Sequence, residues 1–561
     1  MAERYTRGGY ARPATSQAFT TGDWRVEQPV HRHRTAPCAA ACPAGEDPQA
    51  WLAALAEGDE RGAWETLVAA NPLPAITGRV CHHPCESDCN RGAYDEAIAI
   101  HGAERHLGDA ALAAGWEYGI PQPGPEAPAV AVVGAGPAGL ACAYHLTARG
   151  YRVTLFDAAP EAGGQLRAAI PPYRLPRSVL DAELERLLAV IPETRFRHRL
   201  GRDMDRAELL SDFQGLFLAP GTHRPRPWDV DGATPTDLVS GIELLREWLD
   251  IGIARVGRRV AVVGGGNTAL DLARALRHNG AEEVHVITHE ALPGPGVPAA
   301  EAMPAIPREI RQAREEGVTI HPERGVERLI LRGERVVGVE LVHMRRLEDG
   351  SGDVHRVAFE GTETVLDVDQ VVPAVGQEVE PAGFEALVHG GRLAADEWGR
   401  LADGPVYTGG DARGDRGTVS AAVGDGRRAA RALDDELRGR QRPAFQRPEG
   451  LPFSALNPAY FEPAPRPEEA TTPPAERGPE VEVERGYPAA AIHGEAGRCL
   501  SCGNCLACDN CWTLCPDGAV LKSAEQARDG SHYLFDTDYC KGCGICAREC
   551  PTGYIVMESL L

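Results

Sequence analysis

The stretch 128–158, PAVAVVGAGPAGLACAYHLTARGYRVTLFDA, decides the fold class of this chain. A valine-rich apolar run breaks at Gly134-x-Gly136-x-x-Gly139, continues as an Ala/Leu helix closed by Gly150, and ends in a second apolar run at Asp157. Strand, glycine turn, helix and strand in that order form a βαβ dinucleotide unit. Gly134 permits the tight turn, Gly136 lets backbone approach a pyrophosphate, and Gly139 lets the helix pack closely, while the helix N-terminus attracts phosphate charge. Asp157 is then expected to hold a ribose hydroxyl. A second copy, RRVAVVGGGNTALDLARALRHNGAEEVHVITHE at 258–290, places Gly264, Gly266 and Ala269 at the fingerprint positions, with Asn267 and Thr268 opening the helix. Two nucleotides are implied, one flavin held permanently and one nicotinamide admitted to exchange hydride with it.

Outward from these units, short Val/Ile/Leu runs alternate with Ala/Leu/Arg helices from about residue 129, the pattern of parallel sheets covered by crossover helices. The segment YTGGDARGDRGTVSAAVGDGRRAA at 407–430 sets Gly409, Gly410 and Asp411 at a strand end, with a helix beginning near Thr418 and Val419. Upstream, DPQAWLAALAEGDERGAWETLVAA at 47–70 carries its apolar residues at helical spacing and breaks at Gly58 and Gly62. Downstream, PAPRPEEATTPPAERGPEVEVERGYP at 463–488 has little apolar periodicity and predicts an extended linker along the surface.

With 561 residues the chain exceeds one hydrophobic core, and two to four domains are expected. Its net charge of -23 opposes nonspecific binding to nucleic acid or an anionic membrane. No apolar run approaches a membrane span, and the N-terminus lacks a secretory apolar stretch, so a cytoplasmic location is expected.

Sixteen cysteines in such a chain point to metal ligands before disulfides. Five lie between Cys38 and Cys89, ten between Cys499 and Cys550, and Cys142 stands alone. Cys505-x2-Cys508-x2-Cys511-x3-Cys515-Pro516 and Cys540-x2-Cys543-x2-Cys546-x3-Cys550-Pro551 are the strongest signal in the chain. Thiolates at this spacing bind two 4Fe-4S clusters, the fourth cysteine of each run crossing to the other cluster. The expected sets are Cys505, Cys508, Cys511 and Cys550, and Cys515, Cys540, Cys543 and Cys546. Zinc is the competing reading of any single C-x2-C. Cys142, inside the first fingerprint helix, reads as core packing.

Gly163-Gly164-Gln165-Leu166 with IPPYRLP at 170–176, VVGGGNTALD, TGGD followed by VSAAVGDGRRAA, and NPLPAITGRVCHHPCESDCNR at 71–91 together resemble the small subunit of bacterial glutamate synthase and its NAD(P)H-dependent relatives. The resemblance spans roughly residues 35 to 435. It implies an FAD domain interrupted by an NAD(P) domain, behind an N-terminal helical domain that carries clusters. The expected architecture is α/β with two Rossmann-like domains: a helical iron–sulfur domain at 1–120, the FAD domain at 128–245 and 365–440, the NAD(P) domain at 246–364, a linker at 441–495, and a bacterial-ferredoxin-like α+β domain at 496–561. Gly164, Gln165, Gly410, Asp411, Thr418 and Val419 join the flavin set by this resemblance.

The same resemblance implies a carboxylate ligand at Glu104, completing a cluster with Cys42, Cys81 and Cys85. Relatives carry four cysteines before the first helix where this chain has Cys38 and Cys42, which leaves Cys38 and Cys89 without partners and Cys499-x2-Cys502 unused. These four are expected to form a fourth cluster joining the two ends of the chain, with His31 or His33 as alternative ligands; the total is then three to four 4Fe-4S clusters. NADPH-using relatives follow the second nicotinamide strand with Tyr-Arg-Arg, whereas this chain has Thr288-His289-Glu290. Glu290 suits a free ribose hydroxyl, so NADH is expected to be favoured over NADPH, with His289 keeping the opposite open.

The function implied is an NAD(P)H:ferredoxin-type oxidoreductase, a subunit of a hetero-oligomer that passes electrons to or from a redox partner such as a ferredoxin or a 2-oxoacid:ferredoxin oxidoreductase. A glutamate synthase small subunit and a noncatalytic relay or assembly subunit are the alternatives. No protein acid or base is expected at the hydride step.

Overall fold

The valine-rich run Ala129–Val133 is buried along its whole length, because it is the middle strand of a parallel sheet covered on both faces. The strand order is Val406–Thr408, Gly215–Leu218, Ala129–Val133, Arg152–Asp157 and Glu193–Phe196, every pair parallel. The outermost strand, Val406–Thr408, comes from far along the chain and pairs Val406 with Leu216. The computed structural model describes residues 5–7, 19–230, 238–252, 256–348, 354–401, 404–414, 417–524 and 531–561. They form two compact units, one of Glu117–Arg442 with Ala470–Arg485, the other of Met1–Trp116, Pro443–Glu469 and Gly486–Leu561.

Between Gly215–Leu218 and Val406–Thr408 along the chain, a second parallel sheet is inserted, ordered Val318–His321, Glu283–Ile287, Arg259–Val263 and Gln370–Pro373. One of its faces packs on Asn267–His278 and on Gly241–Ile251, through Leu244, Leu245 and Leu272. The other is covered by an antiparallel sheet of Arg324–Arg332, Arg335–Glu348 and Val354–Leu366, through Ala261, Ile287, Leu329 and Leu341. Two domain boundaries move accordingly. Residues 241–245 belong with the inserted domain because their helix fills its core, and the return at 365 shifts past Pro373, whose strand pairs with Arg259–Val263. Residues 470–485 form a strap on this unit, where Val483 N donates to Tyr173 O at 3.0 Å and Arg477 pairs with Glu315 and Glu316 at 2.8 and 3.2 Å.

In the other unit, the helices Pro48–Ala56 and Glu60–Val68 begin at Asp47 and Asp59, whose carboxylates accept from Ala50 N (3.2 Å) and Gly62 N (2.8 Å). Their apolar faces bury Trp51, Leu52, Leu55 and Leu67 with Leu107 of Ile100–Ala113 and with Ile492 and Leu500. The last two come from the C-terminal part of the chain. The segment 441–495 therefore does not end as linker: Ala489–Gly497 is a helix, since Ile492 and Ala496 complete this core. The C-terminal module is built on two small sheets. Glu27–His31 pairs antiparallel with Ile555–Ser559, and Tyr5–Arg7 pairs with Val520–Ser523, which pairs with Tyr533–Phe535. Among the described residues no helix is long and apolar enough to cross a membrane.

Candidate nucleotide sites and thiol clusters

At the first glycine turn, Gly134 has φ +106° and a Cβ there would lie 2.1 Å from Ala219 O; one on Gly139 would lie 1.7 Å from Gly134 O. Protein atoms alone thus demand both glycines. Gly136 is different, because the nearest atom to an added Cβ is Gly164 Cα at 3.9 Å. The two backbones approach closely, a Cβ on Gly164 lying 2.9 Å from Gly136 Cα, at the start of the helix Pro137–Ala148, which has no side-chain cap for its first N–H groups. Asp157 is fixed beside the turn, its carboxylate accepting from Ala135 N at 2.5 Å and Ala159 N at 2.7 Å. Gln165 Nε2 donates to Thr222 O at 3.0 Å, while its Oε1 is buried and unpartnered among the described residues.

The late segment returns to the same place. A Cβ on Gly410 would approach Ala138 Cβ at 3.0 Å, so the GGD turn abuts the first fingerprint helix. Gly410 N donates to Asp425 at 3.0 Å, and burial with the nearby Asp425 charge pushes the Asp411 carboxyl up. Thr418 caps the helix Val419–Leu437, accepting from Ala421 N at 3.3 Å. Gly426 on that helix leaves room for Ala138 O and Cys142 N, which buries Cys142 completely. An unpartnered amide oxygen and uncapped helix N–H groups around bare glycines fit the pyrophosphate and polar edges of a dinucleotide.

The second turn repeats the arrangement. Gly264 has φ +142° and meets Ala374 O, Ala269 is buried, and a Cβ on Gly266 would find no protein atom within 4 Å. The helix from Asn267 again lacks a side-chain cap; Asn267 Oδ1 instead accepts from Ile306 N at 3.0 Å. At the strand end, the Glu290 carboxylate accepts from the Thr288 hydroxyl and lies 3.2 Å from His289 Nε2. Burial pulls the His289 imidazole down, against the Glu290 charge.

The thiols fall into four groups. One cavity is lined by Cys505, Cys508, Cys511 and Cys550, and another by Cys515, Cys540, Cys543 and Cys546, so the last cysteine of each run sits with the other run. Ala507 N donates to Cys505 Sγ at 3.4 Å and Ala519 N to Cys515 Sγ at 3.2 Å. In the helical domain, burial raises Cys38 well above its ordinary value, and the thiols of Cys499, Cys89 and Cys502 push it in the same direction. Burial likewise lifts Cys499 to about 12 and Cys502 to about 11. Asn90 Nδ2 donates to Cys502 Sγ at 3.5 Å. His31 lies elsewhere: it lines the Cys505 cavity and stacks on Tyr554 at 5.1 Å, while His33 Nδ1 is 2.9 Å from Asn504 Oδ1.

The remaining three thiols share their nest with carboxylates. The helices Pro74–Val80 and Ile100–Ala113 cross closely because Gly108 and Gly78 admit the partner's backbone at Ala75 and Arg105. That crossing sets Cys81, at the end of one helix, and Glu104, on the other, both near Cys42. Burial drives Cys42 and Cys85 upward; Glu46, Cys81 and Glu104 add to it at Cys42, and Cys42, Cys81, Glu86 and Glu46 at Cys85. Asn71 Nδ2 donates to Glu104 at 3.0 Å and to Glu46 at 2.8 Å, and the Thr77 hydroxyl donates to Glu104. Glu46, Asn71 and Thr77 were not among the sequence candidates, since nothing in their spacing sets them apart. Buried thiols that raise one another's pKa are unfavourable as thiolates until cationic iron supplies the compensating charge, which is the chemistry a cluster needs.

Residues 128–426 match the family model described as pyridine nucleotide-disulphide oxidoreductase, more than half of the chain. The chain belongs to the pyridine nucleotide-disulphide oxidoreductases. Two further matches flank that core in this member of the family: dihydropyrimidine dehydrogenase domain II, 4Fe-4S cluster, over 31–116, and a 4Fe-4S dicluster domain over 504–554. This oxidoreductase is 35% identical over 511 residues to the NADP(+)-dependent formate dehydrogenase subunit beta of Moorella thermoacetica, covering 83% of this chain and 70% of that protein. It is 32% identical over 542 residues to the NADPH-Fe(3+) oxidoreductase subunit beta of Geobacter sulfurreducens, covering 86% and 78%. With the glutamate synthase [NADPH] small chain of Halomonas elongata it shares 32% identity over 432 residues, covering 71% and 88%. The protein is an NAD(P)H-dependent oxidoreductase of FAD and 4Fe-4S clusters, an electron-transfer protein on an α/β fold with iron–sulfur domains at both termini.

Proposed function

We propose that this chain is the nucleotide-oxidising, electron-distributing subunit of a larger oxidoreductase. Two bare glycine turns and four thiol nests in one chain carry this reading. Flavin supplies the conversion of a two-electron hydride into single electrons, and iron–sulfur clusters carry those singly. The protein's own part is to bind, orient and insulate. Gly134, Gly136, Gly139, Asp157, Gly164, Gln165, Gly410, Asp411, Thr418 and Val419 are assigned to FAD, and Gly264, Gly266, Asn267, Thr268, Ala269, His289 and Glu290 to the nicotinamide dinucleotide. Cys505, Cys508, Cys511 and Cys550 are assigned to one cluster, and Cys515, Cys540, Cys543 and Cys546 to another. A third takes Cys42, Cys81 and Cys85 with Glu104, whose carboxylate Asn71 and Thr77 orient. Cys38, Cys89, Cys499 and Cys502 take the fourth.

The relatives named as a subunit beta or a small chain support a protein partner, and the dicluster match at 504–554 supports delivery through the C-terminal module. The partner is read as the catalytic subunit of a low-potential redox enzyme. The test is anaerobic reduction of methyl viologen by the purified chain with NADPH or NADH. Turnover with either nucleotide is expected, and should fall sharply when Cys508 and Cys543 are both changed to serine while flavin reduction persists. Absence of nucleotide-dependent flavin bleaching would show instead a relay subunit with an inactive nucleotide site. Copurification of the native protein identifies the partner.

A further inference from the structure

The strand end Thr288-His289-Glu290 faces more than its own acid. Glu323 N donates to Glu290 O at 3.0 Å and Met344 N to Glu323 O at 3.0 Å, so the long strand Arg335–Glu348 runs beside the segment that follows the second nucleotide strand. Two residues beyond Met344, on the same face, Arg346 stands opposite Arg356 in antiparallel register. Like charges placed opposite one another are unfavourable on a sheet, and among the described residues neither arginine has a carboxylate partner. The adjacent Arg345 does, Glu323 at 3.5 Å.

Arg346 is not simply stretched into solvent. Its Nη1 donates to Ala300 O at 2.8 Å, in the loop that leaves Glu290 and is tied back to the glycine turn by Ala305 N donating to Gly265 O at 3.2 Å. Both arginine charges reach His289: burial pulls its imidazole down, Glu290 opposes, and Arg356 and Arg346 pull it further. The acid that suggested a free ribose hydroxyl is engaged, one oxygen by the Thr288 hydroxyl and the other beside His289.

We propose that Arg346 and Arg356, with His289, form a subsite for the 2′-phosphate of the adenosine ribose, so that this chain takes NADPH in preference to NADH. The proposal rests on the assignment of Gly264 to Ala269 as the nicotinamide dinucleotide turn. A phosphomonoester dianion between two guanidinium forks accepts paired charge-assisted hydrogen bonds and removes the repulsion the empty pair carries. Glu290, held by Thr288, then orders the strand end instead of selecting against phosphate.

The probes are 2′,5′-ADP and 5′-AMP, titrated calorimetrically into the flavin-loaded full chain, which reads binding without turnover. The wild type is expected to bind 2′,5′-ADP at least about tenfold more tightly than 5′-AMP, and Arg346→Gln and Arg356→Gln each to lose about tenfold of that preference with 5′-AMP binding unchanged. Equal binding of the two nucleotides by the wild type, or a preference surviving in the double variant, would overturn the subsite. If the wild type binds neither nucleotide while retaining flavin, the failure lies in the assignment of the turn itself.

Discussion

Gly266 is the second fingerprint residue of one glycine turn and Gly139 the third of the other; their surroundings differ, and substitution should separate them. Gly266 has φ -87°, open to any residue, and no protein atom within 4 Å of an added Cβ. Gly266→Ala should therefore leave the melting temperature unchanged and weaken nicotinamide binding about tenfold, because only the ligand meets the methyl group. Gly139→Ala should lower stability and flavin content together, since its Cβ would collide with Gly134 O. The helical domain offers a second comparison at this scale. Glu104→Ala should change the electron paramagnetic resonance signature of one reduced cluster, whereas Glu46→Gln should leave it intact; the reverse result would make Glu46 the ligand. Glu316 sets a pH dependence. Burial opposes its ionisation, but His278 and Arg274 hold the carboxyl down at about 2, against an ordinary 4.5. Its contribution is therefore present above pH 4.5 and is lost as pH falls toward 2. Glu316→Gln should cost about 3 kcal/mol at pH 7, and the gap to wild type in urea melts should narrow steadily below pH 4.5.

Among the elements, the strap 470–485 is the least expected from its sequence. Its composition is that of a solvated linker, yet its two ends, Ala470–Thr471 and Glu484–Gly486, pair as strands, and specific contacts hold it. Arg477 is almost fully buried between Glu315 and Glu316, Glu484 meets Arg308 at 2.8 Å, and Thr472 N donates to Val483 O at 2.7 Å. Removing one partner of a buried pair leaves the others uncompensated. Arg477→Ala should raise amide exchange across 472–483 well above that of the sheet beneath, without altering exchange in Ala129–Val133. Helix and strand placement elsewhere could be read from periodicity, because βαβ units carry their signature locally. The helix Ala489–Gly497 could not: with four alanines and two glycines it has no strong apolar stripe, and it is helical because Ile492 and Ala496 fill a core shared with Trp51, Leu52, Leu55 and Leu107. The moved boundaries have the same origin, since Gln370–Pro373 looks like any buried strand and only its pairing with Arg259–Val263 says which sheet owns it.

For the whole molecule, metal content gives the most direct measurement. Four clusters require about sixteen irons per chain, and Cys499→Ser with Cys502→Ser should reduce this to about twelve while leaving the signals of the two C-terminal clusters. Retention of all the iron in that double variant would remove the fourth cluster from the assignment. The two spaced runs at 505–515 and 540–550 and the two glycine fingerprints were legible by themselves, because each depends on residues a few positions apart and on chemistry that few other spacings satisfy. The sequence alone thus determined the α/β class, the kinds of nucleotide and cluster, and the general location of each. The grouping of Cys38 and Cys89 with Cys499 and Cys502 was expected from the count of cysteines left over, but tertiary structure decided the rest of what joins distant segments: Glu46 arriving beside Glu104, Gly410 abutting the helix at Ala138, and Arg346 paired with Arg356 beside the segment after Glu290. The physical reason is that these pairings follow from how buried apolar faces stack. A ligand set such as Cys38, Cys89, Cys499 and Cys502 is brought together only after hundreds of intervening residues have folded.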